Sequence, residues 1–346
     1  MRVATRADNP LEFVGMLGGM APAPLFEAYF GLMAARTIMA GTKLGVFAAL
    51  AESADDAEGL AKRLGGDRDG LDVLLVALHS MRYLDQAGDG TYTPSKIATR
   101  HLVPDASKPL AEVTGSFAYD MWDAFSRLET AIETGEPIGL HEDDPDDPYW
   151  GRYMRALFEL AELRSADLCR LIKTDRPRRL LDLAGGHGGY SVAMCRRHAD
   201  LTAKVVELDG AARIGREIVA EAGFGERISY QVGDMFEFTE AGAYDVAMAN
   251  SILHHFEGDR NVELLRVARA ALRPGGTMAV IEQERPPEGR RGSQIGALTG
   301  VLFFITSKSR TWSAEELTGF FKRAGFERVK ARRTPSVPGV VVVTGR

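Results

Sequence analysis

Two adjacent histidines, His254 and His255, follow an apolar stretch with the composition of a buried β-strand, YDVAMANS at residues 244–251. Imidazole has an unperturbed pKa near 6.5, so either side chain could remove a proton from a substrate at neutral pH. Because neighbouring side chains rarely point into one site, we expect at most one of the two to be catalytic. No histidine or cysteine lies at metal-ligand spacing from them, which favours acid–base chemistry without a metal.

A second segment that could do chemistry is the glycine-rich run DLAGGHGG at residues 182–189, which follows the strand-like stretch RRLLDLA. Glycines between a strand and a helix let a ligand approach the backbone, and the helix start offers free N–H groups. Many such runs are simple turns, so this signal is weak by itself. The candidate cofactor-binding residues here are Asp182, Ala184, Gly185, Gly186 and Gly188.

Carboxylates follow the next two strand-like stretches. Glu207 and Asp209, with Leu208 between them, stand about 20 residues past the glycines, where an acid can accept hydrogen bonds from both ribose hydroxyls of an adenosine ligand. Glu207 fits this role better because it closes the strand, whereas Asp209 could cap a helix starting at Ala211.

The segment GDMF ends the third strand-like stretch. Its Asp234 could accept a hydrogen bond from an adenine amino group, with Met235 and Phe236 against the ring and Gly233 before them. An aspartate in a turn beside core residues is the alternative.

From Arg176 onward, strand-like and helix-like stretches alternate, which predicts a mostly parallel α/β sheet covered on both faces. The last two strands, near residues 327–334 and 339–344, are joined by a turn too short for a crossover helix, so the final strand should be antiparallel. The fold class we predict is α/β, a Rossmann-like seven-stranded sheet behind a helical N-terminal domain. The predicted domains are residues 1–110, a helical linker or lid at 111–173, and a cofactor-binding domain at 174–346.

Residues 53–94 read as helix, turn, helix and hairpin, with Ser53 as the first cap and GDG at 88–90 as the hairpin turn. This is the winged-helix pattern, which invites a DNA-binding interpretation. Residues 1–110 hold 11 Lys and Arg against 13 Asp and Glu, a balance of −2, and the would-be reading helix opens with DRDGLD. Phosphates would meet carboxylates there, so a dimerisation module is the better interpretation.

The composition is that of an ordinary soluble globular protein. The chain has 346 residues, a formal net charge of −6, 45% hydrophobic and 26% charged residues. An acidic chain is a poor general binder of nucleic acid or of anionic membranes. Two distant cysteines and the lack of a clean apolar leader predict a cytoplasmic protein. We interpret the acidic residues 142–147 as a solvated loop rather than a cation site.

Four motifs now stand in one order: LLDLAGGHGG, VVELDG, GDMF and NSILHHF, with LRPGGTMAVIEQ after them. This chain resembles the class I S-adenosylmethionine-dependent methyltransferases, and more closely the small-molecule O-methyltransferases of plant caffeate/flavonoid type and their bacterial antibiotic-pathway relatives. The resemblance covers nearly the whole chain and implies S-adenosylmethionine as cofactor and a homodimer formed through the winged-helix-like domain. It adds Asn250 and Ser251 to the cofactor-binding candidates.

The resemblance also assigns roles. It implies that His254 is the general base and that Glu282, near the end of the fifth strand, orients it, although His255 stays open as the base. Three departures from the family pattern are that Ala184 replaces its first glycine, Asn250 replaces a lysine, and Ser309 stands where plant members have a second acid before the pair Arg310-Thr311.

The expected reaction is methyl transfer to an oxygen of a small, aromatic acceptor. Aromatic and apolar residues of the lid and a later insertion are the candidate substrate-pocket residues, with plain core packing as the alternative for each: Phe117, Trp122, Phe125, Tyr153, Met154, Phe158, Phe303 and Phe304. The altered neighbours of His254 leave room for a relative that binds S-adenosylmethionine yet performs hydroxylation, decarboxylation or a pericyclic reaction, or that methylates carbon or nitrogen. A nicotinamide dehydrogenase would leave GDMF and NSILHHF without a role, and a ligand-sensing DNA-binding regulator conflicts with the acidic first helices.

Overall fold

A computed structural model describes residues 7, 9–20, 22–138, 144–286, 288–289 and 291–346. The chain divides into two compact units, residues 2–121 and 122–346. The division predicted from the sequence, with boundaries at 110 and 173, stays a prediction.

The first unit is helical with one small hairpin. Gly65 ends one helix in the left-handed conformation, and Leu60, Leu75 and Leu78 are fully buried in the core of the unit. Its elements are α1 (Pro10–Leu17), α2 (Gly31–Lys43), α3 (Val46–Glu52), α4 (Ala57–Leu64), α5 (Arg68–Ser80), β1 (Leu84–Gln86), β2 (Tyr92–Pro94) and α6 (Lys96–His101), with π-helical turns at Leu25–Phe30 and Val113–Phe117.

Two details of the predicted helices are wrong. Ser53 does not cap α4: it ends α3, and Asp56 caps α4 by accepting a hydrogen bond from the Gly59 N–H at 2.9 Å. The helix starts late because Asp55 is held in a β-bridge with Tyr92. The second correction concerns Asp209, which lies in the first turn of its helix and does not precede it.

The second unit contains the sheet. Helix α7 (Ala118–Phe125) spans the division of the chain, and the elements that follow are α8 (Leu128–Thr134), α9 (Pro148–Cys169), β3 (Arg179–Leu183), α10 (Gly189–Arg197), β4 (Thr202–Glu207), α11 (Asp209–Glu221), β5 (Ile228–Val232), β6 (Tyr244–Asn250), α12 (Gly258–Ala271), β7 (Leu272–Gln283), α13 (Gln294–Ser307), α14 (Ala314–Arg323), β8 (Lys330–Arg332) and β9 (Val340–Gly345). Short 3₁₀ turns lie at Met235–Glu237 and Leu253–His255.

The seven strands lie in the order β5-β4-β3-β6-β7-β9-β8. Strands β3 to β7 are parallel to one another, and β9 runs antiparallel to both β7 and β8, which confirms the predicted sheet. Strand β7 begins already at Leu272, which pairs with Tyr244. Since all five parallel strands end at the same edge, their following loops converge there; we call this the carboxyl edge.

Both faces of the sheet are covered by helices. Side chains alternate along the strands, so Leu181 and Val343 pack with α12 and α14, whereas Leu180 and Val342 pack with α9 and α10. No helix among the described residues is long and apolar enough to cross a membrane.

We expect the α14 side of this core to be sensitive to cavity formation. Phe321 lies on α14 and is fully buried in the core that this helix forms with β9. Phe321→Ala should lower the free energy of unfolding by about 3–5 kcal/mol in urea denaturation, because the transfer and cavity terms add. Leu298→Ala, whose side chain is 48% exposed, should cost less than about 1 kcal/mol. Equal losses for the two variants would contradict this account of the core.

Candidate active site

The glycine-rich loop after β3 is tightly constrained. Gly186 and Gly188 have φ angles of +50° and +68°, and Ala184 adopts +55°, a conformation that costs an alanine about 1–2 kcal/mol. A Cβ on Gly185 would lie 2.7 Å from the Asp182 carboxyl carbon and 2.8 Å from Val205. Position 185 therefore accepts only glycine without a shift of the loop.

Asp182 is buried behind this loop at the end of β3. Its Oδ2 accepts a hydrogen bond of 2.7 Å from the Ser191 hydroxyl, and its Oδ1 has no partner in the part of the chain that the structure describes. Burial raises the pKa of Asp182 to about 7, against the lowering effect of the Ser191 hydrogen bond. Half of a buried carboxylate is thus left to interact with a bound group.

Glu207 closes β4, as the sequence predicts, and faces the glycine loop. Its two oxygens accept hydrogen bonds of 2.8 Å from the backbone N–H of Gly186 and of Leu208. Burial raises the pKa of Glu207, and these two hydrogen bonds oppose that shift. The carbonyl of Glu207 also accepts from the Gly233 N–H at 3.0 Å, which joins the loop after β5 to the same carboxylate-bearing residue.

The GDMF segment forms the 3₁₀ turn after β5. The Asp234 side chain accepts a hydrogen bond from the Phe236 N–H at 2.8 Å and is exposed. The Phe236 ring packs edge-on against Phe256 and under the Arg260 guanidinium, which lies 3.5 Å from the ring centroid. Met235 and Phe236 also pack against the apolar core, so this segment is held firmly at the carboxyl edge.

His254 lies in the 3₁₀ turn after β6 and contacts Glu282 on β7. Its Nδ1 is 3.0 Å from Glu282 Oε2, and the two side chains are only 3% and 1% exposed. The other oxygen, Oε1, accepts 2.8 Å hydrogen bonds from the Ile252 and Leu253 N–H groups. In the tautomer whose Nδ1 donates to the Glu282 carboxylate, Nε2 carries the free lone pair, which is the arrangement that a general base needs.

Two residues that sequence reasoning missed stabilise this turn by hydrogen bonds to its backbone. Asn261 Nδ2 and Trp312 Nε1 each donate a hydrogen bond of 3.0 Å to the Leu253 carbonyl. Trp312 could have been found from the sequence because it directly follows the Arg310-Thr311 pair. Nothing in the sequence singled out Asn261, because it lies on α12, whose sequence pattern is that of any helix packed on a sheet.

The two predicted residues between β6 and the histidines lie beside the same edge. Asn250 is buried, and both its amide oxygen and its amide nitrogen are without a hydrogen-bond partner among the described residues. Ser251 has a φ of +52° and donates its N–H to the Ile281 carbonyl at 2.8 Å. A buried amide with nothing to bind is costly, so Asn250 is suited to a ligand.

Seven of the eight predicted pocket residues fall into three places. Tyr153, Met154 and Phe158 on α9 lie beside the glycine loop: Phe158 packs edge-on against His187, and the Met154 sulfur lies 3.5 Å from where a Gly186 Cβ would be. The Phe303 ring lies on His254, and Phe304 follows it on α13. Trp122 and Phe125 are on α7, where Phe125 is 39% exposed. The eighth candidate, Phe117, is buried in the π-helical turn Val113–Phe117 of the first unit. The pocket role of all eight stays a prediction.

His187, within the glycine loop, is a further residue that the sequence did not single out. Its Nδ1 accepts a hydrogen bond of 2.9 Å from the Gly189 N–H, and burial lowers its pKa to about 3. It is therefore a neutral, structural histidine that stiffens the start of α10.

The described residues contain no group of three or more His, Cys, Asp or Glu side chains placed to hold a metal ion. Of the acidic stretch 142–147, Glu142 and Asp143 lie outside the described residues. Asp147 caps α9 by accepting the Tyr149 N–H at 2.6 Å.

Two models of known protein families match this chain. Residues 133–327 match the O-methyltransferase domain, and residues 26–104 match the O-methyltransferase dimerisation domain. Because the first match covers more than half of the chain, the chain belongs to the O-methyltransferase family. It is a methyltransferase that uses S-adenosylmethionine, as the resemblance of its motifs implied.

The individual relatives are only distantly similar in sequence, at 26% identity or less for the three described below. The chain is 26% identical over 331 residues to 3-hydroxy-5-methyl-1-naphthoate 3-O-methyltransferase of Streptomyces sahachiroi, covering 92% of this chain and 94% of that one. It is 26% identical over 293 residues to L-tyrosine C(3)-methyltransferase of Streptomyces lavendulae, covering 79% and 78%. The structure of human N-acetylserotonin methyltransferase in complex with SAM shares the fold, with a TM-score of 0.83 over 99% of both chains at 17% identity.

The carboxyl edge fits S-adenosylmethionine on observations of its own. The amide of Asn250 and one oxygen of Asp182 are buried without partners, and Gly185 leaves no room for a side chain. A positively charged ligand beside Asp182 and Glu207 would favour their ionised forms, which burial disfavours in the free protein.

The constraint at Gly185 leads to a direct prediction. Gly185→Ala should lower the affinity for S-adenosylhomocysteine, measured by isothermal titration calorimetry, at least about tenfold, or about 1.4 kcal/mol, because the new Cβ displaces the loop. Gly319→Ala, on the open face of α14 with nothing within 4 Å of the added Cβ, is the matched control and should bind normally. Unchanged affinity in Gly185→Ala would show that the loop does not shape the cofactor site.

Proposed function

We propose that this enzyme transfers the methyl group of S-adenosylmethionine to a hydroxyl oxygen of a small aromatic molecule, with His254 as the general base. The observation that carries this proposal is the buried contact between His254 Nδ1 and Glu282 at the carboxyl edge. S-adenosylmethionine supplies an electrophilic methyl carbon bonded to a positively charged sulfur.

The role of His254 follows from the acidity of the acceptor. A phenol has a pKa of about 10 and is a weak nucleophile at neutral pH. Nε2 of His254 takes the phenolic proton while the oxygen–carbon bond forms and the carbon–sulfur bond breaks. The products are the methyl ether, S-adenosylhomocysteine and a protonated His254, which returns its proton to water.

Glu282 supports that step in two ways. It holds the His254 ring by its Nδ1, which leaves Nε2 as the acceptor, and its negative charge stabilises the imidazolium that forms. Its hydrogen bonds to the Ile252 and Leu253 N–H groups fix the carboxylate itself. His255 is the alternative base, and its ring centroid is 4.3 Å from that of His254.

We assign the cofactor to the loops that follow β3 to β6. Glu207 would accept the ribose hydroxyls, Asp234 the adenine amino group, and Asn250 would use its partnerless amide. The complete proposed set is Asp182, Ala184, Gly185, Gly186, Gly188, Glu207, Leu208, Gly233, Asp234, Met235, Phe236, Asn250 and Ser251.

An aromatic acceptor is supported by the apolar side chains near His254 and by the relatives. The Streptomyces sahachiroi enzyme is named for a hydroxynaphthoate, and the substrate pocket we propose consists of Trp122, Phe125, Tyr153, Met154, Phe158, Phe303 and Phe304. The relative named as a tyrosine C(3)-methyltransferase makes carbon the second candidate acceptor atom. We also propose a cytoplasmic location, with which the two buried free thiols Cys169 and Cys195 agree.

The base assignment can be tested with matched neighbours. His254→Ala should lower kcat for transfer of labelled methyl to a panel of phenols by about 10²–10⁴-fold, while S-adenosylhomocysteine affinity stays near that of the wild type. His255→Ala, the adjacent histidine, should keep most of the activity. Transfer that survives in His254→Ala and is lost in His255→Ala would reverse the assignment. A label that resists release as a methyl ether would instead favour C-methylation.

We further propose that the first unit forms a homodimer. Residues 26–104 match the dimerisation domain, and large apolar side chains of this segment and just before it are exposed in the single chain: Leu25, Phe26, Tyr29, Phe30, Leu32 and Met33. An exposed cluster of this kind favours burial against a second copy.

The dimer proposal predicts a change of mass. Phe30→Asp should shift the protein from dimer to monomer in size-exclusion chromatography with light scattering, because a carboxylate would be desolvated in the interface. Ile132→Asp, at a 61% exposed position of the other unit, should remain dimeric. A wild-type monomer at micromolar concentration would refute the dimer.

A further inference from the structure

The imidazole of His254 is covered on one face by the Phe303 ring. The two ring centroids are 3.5 Å apart and the planes are inclined by 5°, so the rings are stacked in parallel. Phe303 lies on α13 and is partly buried, whereas His254 is 3% exposed. The contact joins the insertion between β7 and α14 directly to the residue that we propose as the base.

A stacked face supplies a restraint that Glu282 does not. The hydrogen bond from Nδ1 holds one edge of the imidazole, but the ring can still swing about the axis of that bond. A flat ring packed on its face stops this motion, because rotation would drive the imidazole edge into the phenyl carbons. The two contacts together fix the direction in which the Nε2 lone pair points.

The backbone of Phe303 is held at the C-terminus of α13. The Phe303 carbonyl accepts hydrogen bonds from the Ser307 hydroxyl at 3.1 Å, the Ser309 hydroxyl at 3.2 Å and the Ser309 N–H at 3.3 Å. Lys308 ends the helix in the left-handed conformation, and the Ile305 carbonyl accepts from the Ile138 N–H at 2.8 Å. Ser309, which stands where the family resemblance leads one to expect a second acid, thus binds the backbone of the residue that covers His254.

We propose that Phe303 is a positioning residue for methyl transfer: its ring holds the plane of the His254 imidazole, and Ser309 holds Phe303. This inference rests on the proposed function. Protonated His254 would also face the negatively polarised ring of Phe303, an attractive arrangement that appears only once the proton has moved. The contact therefore favours the charged state formed during transfer, and its loss should act on kcat rather than on acceptor binding.

The test is a set of substitutions on one helix. Phe303→Leu removes the flat ring but keeps apolar volume, and should lower kcat about tenfold with less than a threefold change in the KM of the acceptor. Phe303→Tyr restores a flat ring and should keep kcat within about threefold of the wild type. Leu298→Ala, at an exposed position of the same helix, is the matched control and should leave kcat unchanged. Thermal unfolding verifies that each variant is folded.

Each result decides the inference. An unchanged kcat in Phe303→Leu would overturn it, and so would a faster kcat, because the ring would then obstruct the acceptor. A change confined to KM would overturn it too, since Phe303 would be only a pocket wall. Proton NMR of His254 gives a readout independent of activity: the upfield ring-current shift should vanish in Phe303→Leu and persist in Phe303→Tyr. Activity that survives His254→Ala would refute the proposed base, whereas loss in His254→Ala with a neutral Phe303→Leu would refute this inference alone.

Discussion

The carboxylate of Glu282 is the interaction on which the catalytic end of the sheet depends. It is almost fully buried at the end of β7, and it accepts hydrogen bonds from Ile252, Leu253 and His254 of the turn after β6. A buried carboxylate without partners would be costly, so the turn and the acid stabilise each other. Strands β6 and β7 are paired up to Asn250 and Ile281. Glu282 follows Ile281 directly, so the strand pairing itself places this acid beside the turn after β6.

Carboxylates that accept hydrogen bonds from the backbone N–H groups of a loop recur along the carboxyl edge. Glu207 accepts backbone N–H groups from the glycine loop, and Asp234 caps the turn that follows β5. In each case a carboxylate at a strand end orders the backbone of a loop, while the strand itself is fixed by the apolar core on both faces. Loop geometry here therefore derives from local charge-assisted hydrogen bonds more than from apolar packing, which leaves the surface of the site polar enough for a charged ligand.

Sequence reasoning could predict the sheet and the ends of its strands because alternation, glycine-rich turns and strand-ending acids are local signals. It failed where a distant contact decided the outcome. The start of α4 moved from Ser53 to Asp56 because Asp55 pairs with Tyr92, which lies more than thirty residues later in the chain. The stacking of Phe303 on His254 was equally hidden, since the spacing of two residues in different elements says nothing about the angle between their rings. The sequence offered Phe303 and Phe304 together as pocket candidates and did not indicate which of the two rings would contact the histidine.

The pKa shifts of Asp182 and Glu207 determine how the charge of the site depends on pH. Burial raises the pKa of Asp182 to about 7 and also raises that of Glu207, so in the free protein the charged forms of both acids are disfavoured. An acid whose folded pKa lies above its unfolded value costs stability as pH rises, and for Asp182 this loss develops between about pH 4 and pH 7. A cation bound beside these acids would reverse the shift, because it favours the ionised carboxylates. The free protein therefore loses stability at Asp182 as pH rises, and a positive charge bound beside it would offset part of that loss.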